Sequence, residues 1–351
     1  MKTVVVGMSG GVDSSVTALL LKKQGYRVIG LHMKNQNSAQ ETKDEVFVKD
    51  LCEKLGIEYK IVSFEDEMEK VKSYFITEYK SGRTPNPCVM CNKNVKFKPF
   101  IDFANQVGAD FYATGHYAKI VHENGVHTLK KALDSDKDQT YFLNQLSQSQ
   151  LEKALFPLGE IKKTEVRKIA EENSLMSAHK KDSFDVCFVG SQKFKDYMNK
   201  ICPEKFGKIV DLETNKVVGK HNGISKFTFG QRKGLGVGGQ KDELGRWFVV
   251  NKDIENNILY VSTNEEKYLF SKNVLVKSFN WIPKKPNQKE FDCFVKVRYR
   301  QSDQKAHIII NDDESVSISF EVPQRAVTAG QYAVLYTQTD CLGGGVIDSA
   351  C

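Results

Sequence analysis

Residues 2–7 (KTVVVG) carry an unbroken apolar core, the pattern of a short strand buried on both faces. Apolar positions then shift to helical spacing over 13–24, and Gly25 is placed to end that helix. The alternation continues with a strand over 27–33, a helix over 40–55 closed by Gly56, a strand over 57–64 and a helix over 65–80. A proline-rich stretch, 82–94, reads as a loop, followed by a helix to about 106 and a strand over 110–114. Strands alternating with helices predict a doubly wound parallel sheet, the α/β class.

The pattern changes after 206. Short alternating runs at 208–210, 247–251, 258–262, 291–299, 307–310, 316–320 and 332–336 are separated by Gly, Asn and Asp, which predicts small β domains. WIPKKPNQKE (281–290) reads as a loop or linker beside a second β module. A chain of 351 residues exceeds one ordinary core. The expected organisation is an α/β catalytic domain over 1–205, a central β domain over 206–270 and a C-terminal β-barrel-like domain over 271–351.

Composition narrows the class only moderately. A hydrophobic content of 40% with 27% charged residues is that of a soluble globular protein. No apolar stretch approaches the roughly 20 residues that span a bilayer. The first residues enter a strand at once, without a leader pattern, so a cytoplasmic protein with no membrane attachment is expected. The net charge of +7 is spread over both halves; it permits a nucleic-acid partner without arguing for one. Eight cysteines are too sparse for a disulfide scaffold and are expected as thiols in a reducing compartment.

GMSGGVDSS (7–15) joins the first strand to the first helix, where glycine-rich turns cradle phosphate. A Walker A loop would need Lys-Ser/Thr where Val12-Asp13 stands, and the dinucleotide fingerprint would need a third spaced glycine and a distant acid. What remains is a loop in which Gly10 and Gly11 admit the anion. The Ser9 and Ser14 hydroxyls add bonds, and Asp13 holds Mg²⁺ or caps the helix. A simple N-cap and tight turn is the alternative.

Cys88 and Cys91 lie among Arg83, Lys93, Lys96 and Lys98, and cations favour thiolate, so reactive cysteines are expected there. Cys187 sits in KKDSFDVCFVG (180–190), a second loop-to-strand context beside basic residues. One C-x-x-C without a second pair does not complete a zinc site. The string from Gly234 to Gly239 leads into a strand pattern, so a β-turn or an RNA-adjacent loop is expected there. Cys341 is expected to be structural, and Cys351 terminal and exposed.

SGGVDS resembles the pyrophosphate loop of the ATP pyrophosphatases, which cleave ATP between its α and β phosphates and adenylate a substrate oxygen. The whole chain resembles the tRNA-specific 2-thiouridylases: GMSGGVDSS, TPNPCVMCNKNVKF, ATGHYA, KDQTYFL, DVCFVG, TFGQRKGLGVGG, RYR and CLGGGVI occur in order. The resemblance implies an ATP- and Mg²⁺-dependent 2-thiolation of wobble uridine in the Glu, Gln and Lys tRNAs. It places Gly7, Met8, Ser9, Gly10, Gly11, Val12, Asp13, Ser14, Met33 and Gly115 at the nucleotide. Asn86, Pro87 and Cys88 fall at the target base, and His116, Lys137, Asp138, Gln139, Arg298, Tyr299 and Gln331 at tRNA. Cys187 would carry the sulfur as a persulfide and Cys91 would assist as thiolate, closing a transient disulfide. A sulfur-carrier protein or a cysteine desulfurase would load Cys187, and the protein is expected to be a monomer without a structural metal. Many relatives have Asp where this chain has Cys88. That leaves a second route open, a hydrosulfide on an iron–sulfur cluster held by Cys88, Cys91 and Cys187.

Overall fold

The computed structural model describes residues 1–34, 39–181, 186–189, 194–202, 204–237 and 246–351, apart from the side chains of 39, 40 and 195. The N-terminal unit contains β1 (Thr3–Gly7), α1 (Val12–Lys23), β2 (Arg27–Lys34), α2 (Ala39–Leu55), β3 (Glu58–Ser63) and α3 (Glu65–Lys80). Next come α4 (Pro87–Cys91), α5 (Lys98–Gln106), β4 (Phe111–Ala113), a hairpin β5 (Lys119–Glu123)–β6 (Val126–Lys130), α6 (Thr140–Leu143), α7 (Gln148–Glu152), β7 (Ala154–Leu155) and α8 (Lys163–Glu172).

The sheet order is β3-β2-β1-β4-β7, and all four pairings are parallel. Both faces of β1 are covered, which explains its unbroken apolar run. Val4 and Val6 pack with Val16 and Leu19 of α1, Leu51 of α2 and Val166 of α8. Val5 faces the other way, onto Phe100 and Ala104 of α5. A one-sided sheet would have required alternation instead.

The stretch expected as a loop over 82–94 is largely helical. Asn86 adopts an extended N-cap conformation, Pro87 occupies the first turn of α4, and the chain continues as a π-helical turn, Asn92–Phe97. Val89, Val95 and Phe97 are fully buried, so tertiary packing supplies the stabilisation that local propensity does not. The β5–β6 hairpin was also not anticipated. Its His122 and His127 stand directly opposite each other.

α9 (Phe194–Ile201) precedes a four-stranded sheet built from β8 (Gly207–Asp211), β9 (Val217–His221), β10 (Phe248–Asp253) and β11 (Ile258–Ser262), ordered β10-β11-β8-β9. After α10 (Glu265–Leu269) come β12 (Phe270–Trp281), β13 (Glu290–Lys296), β14 (Gln304–Ile310), β15 (Val316–Arg325), β16 (Tyr332–Tyr336) and β17 (Cys341–Ala350). These six close a barrel around Val276, Val295, Ile308, Ile318 and Leu335. The WIPKKPNQKE stretch joins β12 to β13 inside this barrel. The run expected over 291–299 stops at Lys296, because Gln301 ties the chain into a turn: its side-chain oxygen accepts from the Val297 amide (2.8 Å) and its own amide donates to Arg298 oxygen (3.2 Å).

The barrel is fastened to the N-terminal unit at the segment that carries the cysteines. The Thr84 amide donates to Ala329 oxygen (2.9 Å), and Gln331 donates to the Thr84 and Pro85 oxygens at 3.0 and 3.3 Å. Gly330 lies so close that a Cβ there would meet the Thr84 backbone at 3.1 Å. Among the described residues no helix is long and apolar enough to cross a membrane.

Candidate active site

A cleft of about 1070 Å³ opens at the carboxyl ends of β1, β2 and β4, between the N-terminal unit and the barrel. Its floor is the turn after β1. Gly10 has φ +74°, and a Cβ there would press on Phe47 and Val48 at 3.2 Å, so the turn requires glycine on both counts. The two serine hydroxyls lie 3.2 Å apart, and Ser14 Oγ donates to Gly11 oxygen at 3.1 Å. Ser15 Oγ also donates to Gly11 oxygen (2.8 Å) and accepts from Ser177 Oγ (2.7 Å), pinning the loop from behind. Gly11, the N-cap of α1, supplies no side-chain cap. The first amides of a 12-residue helix are therefore turned to the cleft with their partial positive charge.

Asp13 is already engaged. Its Oδ1 accepts from Lys163 Nζ at 2.7 Å and from Tyr117 hydroxyl at 2.8 Å, and Oδ2 accepts from Lys163 Nζ at 2.8 Å. Gly115, after β4, approaches this helix end so closely that a Cβ would lie 2.9 Å from the Asp13 carbonyl carbon. The uncapped amides, the glycine contacts and the lysine fit a polyphosphate. They form no protein cage for Mg²⁺, because Asp13 spends its charge on Lys163.

The opposite wall carries the thiols. Cys88, Cys91 and Cys187 all line the cleft; Cys91 is buried, and Cys187 opens into the cleft. Cys91 and Cys187 share a hydrogen-bonding interaction that shifts the two groups in opposite directions. With further help from the Lys96 charge and the backbone amides of Phe188 and Cys187, and against burial, it brings Cys187 down to about 6. The same bond, together with burial, raises Cys91 well above the ordinary thiol range. Burial also raises Cys88 despite Lys96. At the C-x-x-C pair the neighbouring cations do not prevail: burial raises Cys88, and burial with the Cys187 interaction raises Cys91, despite Lys96. Cys187 begins a short 3₁₀ turn, Cys187–Val189, where a strand was expected, because Phe188 and Val189 are buried against Phe75 and its neighbours.

Most of the other expected site residues line the same cleft: Gly7, Ser9, Gly11, Val12, Asp13, Ser14, Met33, Pro87, Gly115, His116, Lys137, Gln139, Arg298, Tyr299 and Gln331. His116 is buried, with Nδ1 2.7 Å from Thr114 Oγ1, and burial followed by the Lys96 charge lowers it well below the usual imidazole range. Tyr299 stacks at 4.3 Å on Phe142, and Arg298 donates to the Arg325 (3.1 Å) and Ala326 oxygens. Four expected residues do not line the cleft. Met8 is buried beneath the loop and accepts from His32 through its carbonyl (3.1 Å). Gly10 shapes the turn from behind, and Asn86 is buried as the α4 N-cap. Asp138 is buried, accepting from the Ala132 amide (2.9 Å) and Thr140 hydroxyl (2.7 Å), so it shapes the Lys137–Gln139 turn rather than facing outward. Asp185 and Gly190 of DVCFVG, and Gly238 and Gly239 of the glycine string, lie outside the described residues. Cys341 is fully buried and Cys351 exposed, as expected.

Sequence reasoning missed two cations as site residues. Lys163 is contributed by the first turn of α8, 150 positions from Asp13, and no motif announces it. Lys96 was visible only as one cation among several. In the structure it lines the cleft with the three cysteines. Burial draws its proton affinity down, but Cys91, Cys187 and Cys88 overcome that and raise it. Its offset of five from Cys91, through the π-helical turn, was the available signal.

Comparison with known proteins agrees along the whole chain. Residues 2–191 match the family described as tRNA methyl transferase HUP domain, 195–263 its PRC-barrel domain and 271–347 an aminomethyltransferase beta-barrel domain. The tRNA-specific 2-thiouridylase MnmA of Exiguobacterium sibiricum is 48% identical over 99% of this chain and 94% of its own length. The proteins of that name from Alkaliphilus oremlandii and Enterococcus faecalis are 47% and 48% identical, over 98% and 99% of this chain and 96% and 95% of theirs.

Proposed function

This chain belongs to the tRNA-specific 2-thiouridylase family, and from that premise we propose how its cleft performs the sulfur transfer. The enzyme is a tRNA sulfurtransferase of ATP pyrophosphatase fold. ATP is held with its phosphates on the Ser9–Ser14 turn and the α1 amides, and Met33 and Gly115 flank the adenine nucleotide. Mg²⁺ arrives on the phosphates, which suits an ion that keeps few protein ligands, and Lys163 is poised to exchange from Asp13 to phosphate. The wobble uridine of the Glu, Gln and Lys tRNAs enters beside Pro87 and Cys88. Its C2 oxygen attacks the α-phosphate of ATP as the bond to the β-phosphate breaks and pyrophosphate leaves, which places on C2 an AMP that departs far more readily than hydroxide.

Cys187, loaded as a persulfide by a sulfur-carrier protein or a cysteine desulfurase, then delivers sulfur. The terminal sulfur bonds to C2 and AMP departs. Cys91 sulfur then bonds to Cys187 Sγ as the persulfide S–S bond breaks, freeing 2-thiouridine and leaving a disulfide that a two-electron reductant resets. One observation carries this reading: Cys91 and Cys187 line the same cleft as Lys96 and the phosphate loop, and the depressed pKa of Cys187 beside a raised Cys91 supports it. A persulfide donor needs that asymmetry, with one thiolate to accept sulfur and one thiol held in reserve.

Purified protein incubated with ATP, tRNA, a thiol reductant and a cysteine desulfurase with cysteine, which delivers sulfur already at the persulfide level, should yield 2-thiouridine by nucleoside mass analysis. Full activity in Cys187→Ser would sink the reading. Stoichiometric iron after anaerobic purification, needed for activity, would transfer the chemistry to a cluster on Cys88, Cys91 and Cys187.

A further inference from the structure

Beyond the reactive cleft lies a second, shallow bowl of about 520 Å³ where the middle sheet meets the barrel. Four cations border it: Arg232 and Lys233 from the turn after Gly230, Arg246 just before β10, and Arg325 at the end of β15. Among the described residues Glu265 is the one acidic side chain on its rim, and it is bonded to Arg325.

The bowl is rigidly framed. The Gly230 amide donates to Val249 oxygen (2.8 Å), and the Val249 amide donates back to Gln231 oxygen (3.0 Å). Gln231 also accepts from the Thr228 amide (3.0 Å) and donates to Lys233 oxygen (2.9 Å), closing the turn on itself. A Cβ on Gly230 would lie 2.6 Å from Ala326 Cβ, so the turn abuts the barrel. Arg325 is held by Glu265 and lies over the Phe248 ring, 5.4 Å from its centroid. The bowl is also continuous with the cleft: Gly230, Gln231 and Arg325 line both, and Arg298 and Arg300 stand on the cleft side.

We propose that this bowl is a phosphate seat for the substrate RNA, a track along which the strand leaving the cleft lays its backbone on Arg232, Lys233, Arg246 and Arg325. It rests on the reading of the cleft as the site of tRNA thiolation. Guanidinium forks match phosphate oxygens two at a time. The seat contacts backbone rather than base edges, so it adds affinity and register without selecting sequence.

The test is equilibrium binding of tRNA across a salt series, by wild type and by the Arg232→Gln/Lys233→Gln/Arg246→Gln variant, with thiolation kinetics on both. These side chains are exposed, so the variant should fold normally, and an unchanged thermal melt checks this. At about 0.1 M salt the variant should bind roughly 10- to 100-fold more weakly, and the slope of log K against log salt should shrink by about 2. KM for tRNA should rise while kcat at saturation and ATP-dependent pyrophosphate release stay unchanged. Equal affinity and equal slope would overturn the seat, as would a loss confined to kcat. If the variant binds tRNA normally, keeps turnover driven by a small-molecule persulfide and loses only turnover driven by a sulfur-carrier protein, the bowl docks that protein and the proposal is wrong. Failure of wild type itself to bind tRNA would instead strike the underlying reading of the cleft.

Discussion

The phosphate floor and the cysteine wall face each other across one cleft, yet they are built on opposite plans. The floor is local: the Ser9, Ser14 and Ser15 hydroxyls, the Gly10 conformation and the α1 amides all belong to one short stretch, backed by Ser177. The wall is assembled from α4, the π-helical turn and the turn at Cys187, and each cysteine there owes its character to the others. A motif can fix an anion cradle, because backbone donors at a helix end act over one turn. A low thiol pKa needs a partner and a cation, and here both come from elsewhere in the chain.

The sharpest way to separate floor from wall is Cys187→Ser. It should lower 2-thiouridine formation by about 10³-fold or more, since nothing else supplies the sulfur nucleophile, and leave ATP-dependent pyrophosphate release within about twofold. A parallel fall in both would mean the two walls act as one unit. Lys163→Met probes the reverse. The pyrophosphate step should drop about 10²-fold, as for a lost electrostatic stabiliser, while alkylation of Cys187 by iodoacetamide keeps its rate.

Lys96→Met should act on the wall alone. A nearby cation favours the anionic thiolate, so its removal raises the Cys187 pKa. A rise of about one unit would slow alkylation near pH 6 up to roughly tenfold. Lys96→Arg should retain most of the wild-type rate, and an unshifted alkylation profile in Lys96→Met would deny that cation its role. In the wild type, the Cys187 alkylation rate should be level above its pKa and fall as pH drops through about 6. Cys293 and Cys341, pushed up to about 12 by burial, should stay unlabelled until the protein unfolds. The smallest effect belongs to Cys351→Ser. This thiol is exposed at the terminus, and thiolation should change by less than about twofold.

Legibility followed the same division. The strand–turn–helix at GMSGGVDSS, the βα alternation to about 114 and the small β domains beyond 206 could be read from periodicity and glycine placement. The 82–97 segment could not, since prolines and asparagines there signal a loop while its short helices depend on burial of Val89, Val95 and Phe97. The family motifs singled out Cys91 and Cys187, which the structure brings to one cleft, but counting lysines around the C-x-x-C pair carries no desolvation, and burial raises both thiols there. Asp138 illustrates a related limit: a polar residue inside a recognised motif faces inward when its own turn needs two acceptors.

Taken alone, the sequence determined a strand–turn–helix shaped to cradle an anion at the end of its first strand, because that turn is made of consecutive residues and glycine-permitted backbone. It also determined the layout of a parallel sheet followed by β modules, because side-chain period is a local property. Tertiary structure decided that Cys88, Cys91 and Cys187 meet on one cleft with Lys96 among them, and that Lys163 neutralises Asp13. Proton affinities depend on distance and desolvation, and both exist only once separate segments have been packed against one another.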